Sequence, residues 1–184
     1  MNSKFIFSII ALLGCTFCFA QDMVTLEKRA NELYNYLMTG KYDSVVPYIH
    51  PSMYNEISKD EYLADLKSLN TKKDGITISM INVPPSFNFK EIKIINKNYY
   101  CIFYYNQLIK ISVEHVVDGF TKELLIRTYK KMYNTDKVVF NERENALLVQ
   151  RRLQRVALAD ELTGYEWKFF ASVKDQKLSE ILGL

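Results

Sequence analysis

The chain has 184 residues, of which 48% are hydrophobic and 14% aromatic, and its formal net charge at pH 7 is +3. This composition is typical of a folded globular protein and excludes an intrinsically disordered tail. A charge so close to neutrality does not predict binding to nucleic acid or to membrane surfaces in general. The length, and the lack of a Ser- or Gly-rich linker, predict a single domain.

The first 20 residues have the pattern of a secretory signal peptide. Lys4 supplies a positive n-region, residues 5–19 are almost wholly apolar, and a small-x-small triplet ends at Ala20. We therefore predict cleavage after Ala20, an exported protein of the periplasm or the extracellular space, and one folded domain over residues 21–184.

Two alternatives stay open for this segment. Residues 12–15 (Leu-Leu-Gly-Cys) resemble a bacterial lipobox, which would give a lipoprotein acylated at Cys15. An uncleaved anchor would need about 20 apolar residues, and the apolar stretch that begins at Phe5 is shorter and is interrupted by Ser8 and Thr16. We therefore expect no transmembrane helix once the leader has been removed.

Loss of the leader leaves Cys101 as the one cysteine of the chain, so no internal disulfide is predicted. Its neighbours, Tyr100 and Ile102, predict a small buried hydrophobe rather than a reactive thiol. One cysteine with two histidines, His50 and His115, cannot complete the usual tetrahedral zinc site. The sequence therefore predicts no metal site and no cofactor.

The region before residue 75 is predicted to be helical. A helix is expected over residues 23–39, where apolar residues recur every three or four positions and Gly40 stands at the C-terminal cap. A helical turn follows at residues 42–48. Ser58 and Glu61 then form a capping box at the start of a second helix. The apolar side chains expected to form its buried stripe are Leu63, Leu66 and Leu69.

From residue 76 the apolar period changes to two, which predicts strands. Two of them are expected at residues 76–80 and 87–95, and a much longer extended stretch at 99–117. In the long stretch the odd-numbered positions stay mostly apolar, whereas the even-numbered ones turn polar from Asn106 onward. This pattern predicts a strand of a strongly curled antiparallel sheet.

The last third mixes helix and strand. Residues 121–133 predict a helix that Asn134 caps, and residues 146–159 suit either a helix or a strand. We favour the strand, because residues 165–173 alternate strictly and offer a hairpin partner with Trp167 on the core face. Two short elements complete the prediction, a strand at 138–140 and a helix at 175–182.

A helix pair followed by an antiparallel sheet predicts an α+β fold. Residues 164–168 (Gly-Tyr-Glu-Trp-Lys), with the helix after them, resemble the end of nuclear-transport-factor-2-like domains, where the last strand often carries a G-x-W-K pattern. The Leu37-x-x-Gly40-x-Tyr42 segment resembles the link between the first two helices of that cystatin-like superfamily. The chain is similar in particular to small secreted bacterial members with no assigned activity.

The resemblance implies a curled antiparallel sheet that wraps round a helix and leaves an open, apolar cone of the ketosteroid-isomerase type. Some members of the superfamily catalyse enolisation or dehydration there, with an Asp or His inside the cone, and many only bind. The helix at 121–133, between two strands, departs from the minimal fold of the family.

His115 is the best candidate general base, because it lies on the apolar parity of the long strand, where burial would tune its pKa. A core or rim histidine with a single hydrogen-bond partner is the simpler interpretation. Asp118 is expected to belong to a turn. His50 precedes Pro51 in a predicted loop, and we expect no functional role for it.

Aromatic side chains of the long strand and of the Trp-bearing strand are candidates for lining a pocket, since rings supply apolar surface and hydroxyls fix a ligand. The predicted pocket residues are Tyr99, Phe103, Tyr105, His115 and Trp167.

Residues 121–160 hold nine basic and five acidic side chains. On a strand, Arg151 and Arg155 would share one face and Arg152 would point to the other. Such a face could meet an acidic partner or lipid headgroups, but a solvated sheet face is the simpler interpretation. The aromatic interleaving that single-stranded nucleic acid requires is missing.

The sequence thus predicts an exported, non-catalytic binding protein with an aromatic-lined pocket for a small apolar ligand or a partner protein. Two alternatives stay open: a cone-pocket isomerase or dehydratase that uses His115, and a cell-envelope protein-interaction module. No nucleic acid is expected as a partner, and a homodimer is left open.

Overall fold

The computed structural model describes residues 23–55, 57–68, 71–115, 118–170 and 176–182. The predicted signal peptide, its cleavage site and Cys15 lie outside these residues, as does Leu69. Within the described part of the chain, no helix combines the length and the apolar character needed to cross a membrane.

The first helix, α1 (Met23–Met38), forms as predicted, because its apolar side chains recur on one face. Its buried residues are Leu26, Ala30, Leu33 and Tyr34. The helix ends where Gly40 adopts φ +69°, a left-handed conformation that glycine adopts without steric cost. The backbone N–H of Lys41 then donates to the carbonyl of Tyr36 at 2.9 Å and closes the last turn.

Three short 3₁₀ turns, Tyr42–Ser44, Val46–Tyr48 and Pro51–Asn55, lead to the second helix, α2 (Lys59–Ser68). The predicted capping box is confirmed: Ser58 Oγ accepts from the N–H of Glu61, and the Glu61 carboxylate accepts from the N–H of Ser58. The predicted buried stripe is only partly correct, since no residue of α2 is fully buried. Its Leu66 is half-buried, packs against the core on one side and borders a cavity on the other.

In the part of the chain that the structure describes, the sheet has eight strands, all antiparallel, in the order β1-β2-β5-β7-β6, with β3 and β4 paired to β5 and β8 paired to β7. The α+β fold class is therefore confirmed. The strands are β1 (Lys72–Lys73), β2 (Ile76–Ile81), β3 (Asn88–Phe89), β4 (Lys93–Ile95), β5 (Asn98–Val113), β6 (Val138–Asn141), β7 (Ala146–Ala159) and β8 (Lys168–Phe170).

The central pairing of the sheet is the long ladder between β5 and β7, whose register runs from Tyr99↔Ala159 to Ser112↔Ala146. The ambiguous segment is thus a strand, as we favoured. The long strand ends at Val113 and not at residue 117, because its partner β2 begins at Ile76, directly opposite Val113. His115 lies beyond the ladder.

The third helix, α3 (Gly119–Tyr133), is confirmed. Asp118 is its N-terminal cap and accepts a hydrogen bond from the N–H of Thr121 at 2.7 Å, while Asn134 closes the other end with φ +49°. Asp118 therefore has a local structural role, in line with the prediction.

The predicted last strand is correct at its centre and wrong at its start. Asp160 and Thr163 form a capping box around a 3₁₀ turn (Glu161–Thr163), so β8 begins only at Lys168. Tyr165 has φ +61° and is 38% exposed, whereas Trp167 is 2% exposed and lies just before the strand. Residues 171–173 lie outside the described part. A short helix, α4 (Gln176–Leu182), follows.

The helices α1, α2 and α3 lie on one face of the sheet. Odd-numbered residues of β5 and β7 point to this face and join two separate core clusters. The first cluster combines α1 with the Cys101 and Phe103 end of β5, and the second combines Tyr129 of α3 with the Ile109 and Ile111 end. The opposite face packs against Leu178 of α4.

Candidate functional site

A cavity of about 740 Å³ lies between the two core clusters. The sheet forms its floor, α1 and α2 form one wall, and α3 and β2 form the other. Sites for small organic molecules have volumes of about 300–1,000 Å³. Apolar and aromatic residues of its walls include Leu33, Leu37, Tyr62, Leu66, Ile78, Met80, Tyr129 and Phe169.

The mouth of the cavity is identified by the lining residues that are themselves exposed. Ser68 ends α2, Thr71 directly precedes β1, Lys73 ends β1, and Asp74 lies in the turn that leads into β2. The entrance therefore lies between the end of α2 and the hairpin of β1 and β2. Lys73 and Asp74 place one charge of each sign beside it.

The floor of the cavity carries a cation. Arg151 of β7 lies opposite Gln107 of β5, and its Nε donates to the Gln107 side-chain oxygen at 2.8 Å. The guanidinium carbon lies 4.9 Å from the ring centroid of Tyr133, within range of a cation–π interaction. Burial lowers the pKa of Arg151 from its ordinary value. The amide and the ring thus hold a partly desolvated positive charge in a defined orientation.

Gln107 is itself fixed in place. It is 6% exposed, and its amide nitrogen donates to the sulfur of Met80 at 2.9 Å. Since its oxygen accepts from Arg151, both ends of the amide have partners. Through these two hydrogen bonds, the Gln107 side chain links β5 to both β2 and β7 at the centre of the floor.

Arg155 lies on the same face of β7 and also lines the cavity. Burial raises the pKa of Tyr62 on α2, and the charge of Arg155 opposes that rise. Arg152, in contrast, is exposed on the other face, with its guanidinium carbon 4.3 Å from the ring centroid of Tyr104. The prediction that Arg151 and Arg155 share one face and Arg152 points to the other is confirmed. Arg151 and Arg155 line the cavity, however, and do not form a solvated sheet face.

Of the five predicted pocket residues, Tyr105 lines the cavity. Phe103 and Trp167 are packed inside the first core cluster, because the helix α1 covers that end of the sheet. Tyr99 is half-buried and meets Tyr165 edge to face, with centroids 6.3 Å apart.

His115 is exposed beyond the end of β5, and its backbone carbonyl accepts from the Asn145 side chain at 2.9 Å. The alternation of apolar residues that predicted a buried His115 continues beyond the last residue pair of the ladder. At His115, no strand in the described part of the chain lies beside the backbone. Among the described lining residues there is no histidine, and the one carboxylic acid is Asp74 at the mouth.

A buried polar cluster, which sequence analysis did not anticipate, adjoins the cavity. His50 is 0% exposed, and its Nδ1 and Nε2 lie 2.7 Å from Ser52 Oγ and 3.1 Å from Asp160 Oδ2. The backbone N–H of Ser52 also donates to Nδ1, at 3.3 Å. Nδ1 is thus an acceptor, and the proton of the neutral ring lies on Nε2 and is donated to Asp160. The ring stacks on Phe170, with centroids 4.7 Å apart.

A hydroxyl, an imidazole and a carboxylate stand in the same order in a hydrolytic triad. Here the burial of His50, Ser52 and Asp160 indicates a structural contact, which we call the clasp. All three side chains are buried, and none lines the cavity in the described part of the chain. Ile49, Met53 and Phe170, which adjoin the cluster, do line it. The cluster therefore ties the segment before α2 to the end of β7 and fixes one wall of the cavity.

Two sequence signals pointed to this clasp. Ser52 follows His50 by two residues, a spacing that permits a local side-chain contact. Asp160-x-x-Thr163 is a capping-box pattern directly after a long strand. Neither signal indicates that the two segments meet across 110 residues of chain.

No group of three or more His, Cys, Asp or Glu side chains in the described ranges is arranged to hold a metal ion. Comparison of the chain with protein-family models, with curated proteins and with solved structures found no match.

Proposed function

We propose that this is an exported, non-catalytic binding protein that holds a small apolar molecule between its sheet and its helices. The observation that carries the proposal is the cavity of about 740 Å³, with mainly apolar and aromatic walls and a few polar groups on its floor. Binding sites for small organic molecules have this composition and size.

The arrangement agrees with the open cone that the resemblance to nuclear-transport-factor-2-like domains implies, so we also propose membership of that superfamily. A catalytic role receives no comparable support. His115 is exposed outside the cavity, and the described floor offers arginine, glutamine and tyrosine side chains but no carboxylate or imidazole to act as a general base.

The apolar walls supply the driving force for binding, since each Å² of apolar surface removed from water contributes about 25 cal/mol. Leu37, Leu66 and Met80 border the cavity from three different elements, so apolar surface faces a ligand from several sides.

The test is binding of the neutral fluorescent probe N-phenyl-1-naphthylamine to two variants that each place a tryptophan on a strand. Ile78→Trp fills the cavity from β2, whereas Val139→Trp, on β6, replaces a side chain that is 64% exposed. We expect Ile78→Trp to weaken probe binding at least about tenfold and Val139→Trp to leave it unchanged, since overfilling a site excludes its ligand. Equal affinities for both variants, each with an intact thermal transition, would contradict the proposal.

A further inference from the structure

We propose that the ligand is an amphiphile with one carboxylate, whose acidic group is bound by Arg151 on the floor of the cavity. This inference rests on the proposed binding function and adds the chemical class of the ligand. It starts from the composition of β7. Val149 and Ala157, on the face that also bears Arg151 and Arg155, are both 0% exposed, so the two arginines occupy positions where an aliphatic side chain would pack.

Desolvating a guanidinium costs free energy unless it is paired. In the described part of the chain, Arg151 forms no ion pair, and its one hydrogen bond runs from Nε to the neutral Gln107. Neither of its terminal nitrogens is a fully buried atom. The two Nη groups therefore face accessible space, while Nε and the ring of Tyr133 hold the guanidinium in place.

A planar guanidinium with two parallel N–H donors matches a carboxylate, which it binds through two short hydrogen bonds. The one negative charge among the described lining residues, Asp74, lies at the exposed mouth, away from Arg151 on the floor. The floor therefore favours an anion, and the apolar walls on both sides favour a hydrocarbon body attached to it.

Gln107 contributes to the selectivity because it orients Arg151 without neutralising it. A carboxylate at that position would pair with the guanidinium and remove its attraction for an acidic ligand. We expect Gln107→Glu to abolish binding of the anion while leaving a neutral probe bound, since the change adds no bulk to the cavity.

The experiment compares decanoate with 1-decanol as competitors for N-phenyl-1-naphthylamine, at pH 8, where the fatty acid is ionised. The test variant Arg151→Met keeps an unbranched stem and removes the charge. The control Arg152→Met removes the same charge from the neighbouring residue, on the opposite face of the sheet.

We expect decanoate to compete better than decanol in the unmodified protein. Arg151→Met should weaken decanoate binding by about 10- to 100-fold, because hydrogen bonds to charged groups are strong in a dry site, and should leave decanol within about twofold. Arg152→Met should change neither. The unchanged affinity for decanol and for the fluorescent probe reports that the Arg151 variant is folded.

Equal competition by decanoate and decanol, or equal losses in the two arginine variants, would overturn the assignment of an anionic ligand and leave the cavity as a site for neutral molecules. Failure of the unmodified protein to bind the fluorescent probe would instead overturn the proposed function and this inference with it.

Discussion

The clasp between His50 and Asp160 yields a stability prediction that follows directly from its geometry. In His50→Phe the ring that stacks on Phe170 is kept, but both side-chain hydrogen bonds of the imidazole are lost. A carboxylate at 6% exposure then lacks its buried donor, and the Ser52 hydroxyl lacks its acceptor.

The cost combines two terms. Loss of a hydrogen bond to a charged group costs about 1.5–3 kcal/mol, and a buried hydroxyl left unsatisfied adds about 1 kcal/mol or more. We therefore expect His50→Phe to reduce the free energy of unfolding by about 2.5–4 kcal/mol. For a domain of this size, that lowers the thermal midpoint by roughly 5–16 °C.

A double-mutant cycle with Asp160→Ala, followed by urea unfolding, isolates the contact itself. Asp160→Ala also removes the hydrogen bond from the N–H of Thr163 to Oδ1, and the cycle cancels that separate cost. We expect a coupling free energy above about 1 kcal/mol. The exposed capping box serves as the control, since Ser58→Ala should cost only about 1 kcal/mol and show no coupling to His50→Phe. Additivity of His50→Phe and Asp160→Ala within about 0.5 kcal/mol would refute the clasp.

Three further predictions concern Trp167 in the core, the thiol of Cys101 and the predicted signal peptide. Trp167→Ala should destabilise the protein by about 3–5 kcal/mol in urea unfolding, since a large buried ring is lost; a loss below about 1 kcal/mol would mean that the side chain is not packed. Burial raises the pKa of Cys101 to about 11, so at pH 8 the native thiol should react with iodoacetamide far more slowly than the unfolded one, and equal rates would place it at the surface. N-terminal sequencing of the exported protein should begin at Gln21, whereas an acylated Cys15 would show a lipoprotein.

Elements defined by local chemistry were predictable from the sequence. The capping box of Ser58 and Glu61 and the glycine at position 40 each depend on contacts within a few residues, so the local sequence pattern is enough to predict them. The predicted strand at Ala146–Ala159 is confirmed, and the described part of its expected hairpin partner pairs with it at Lys168–Phe170. Its long pairing with β5 joins residues far apart in the chain and has no local signal.

The ends of strands were not predictable in the same way. Val113 ends β5 because β2 begins opposite it, and that pairing joins residues more than 30 positions apart. His115 has the same odd parity as the buried residues of β5, but it lies beyond the end of the ladder and is exposed. The prediction that it is buried was therefore wrong. Likewise, alternation around Tyr165 does not show that the turn after Asp160 forces it into a left-handed conformation.

The cavity depends on placement of helices, which alternation along strands does not encode. At about 3.3 Å per residue, the 16 residues of β5 span roughly 50 Å, whereas the 16 residues of α1 rise only about 24 Å at 1.5 Å each. None of the described helices can therefore cover the ladder alone. The chain packs α1 and α2 at one end and α3 at the other, and the middle of the floor is left open.

The residues at that uncovered middle are those expected if the gap holds a ligand. The buried face of β5 is aliphatic at Ile109 and Ile111, but Gln107 is polar and its partner on β7 is Arg151. Had the gap no occupant, two aliphatic side chains would avoid the desolvation cost of an amide and a guanidinium. Replacing both with leucine should accordingly raise the thermal midpoint while abolishing selectivity for decanoate, and a lower midpoint would show that this polar pair stabilises the fold in its own right.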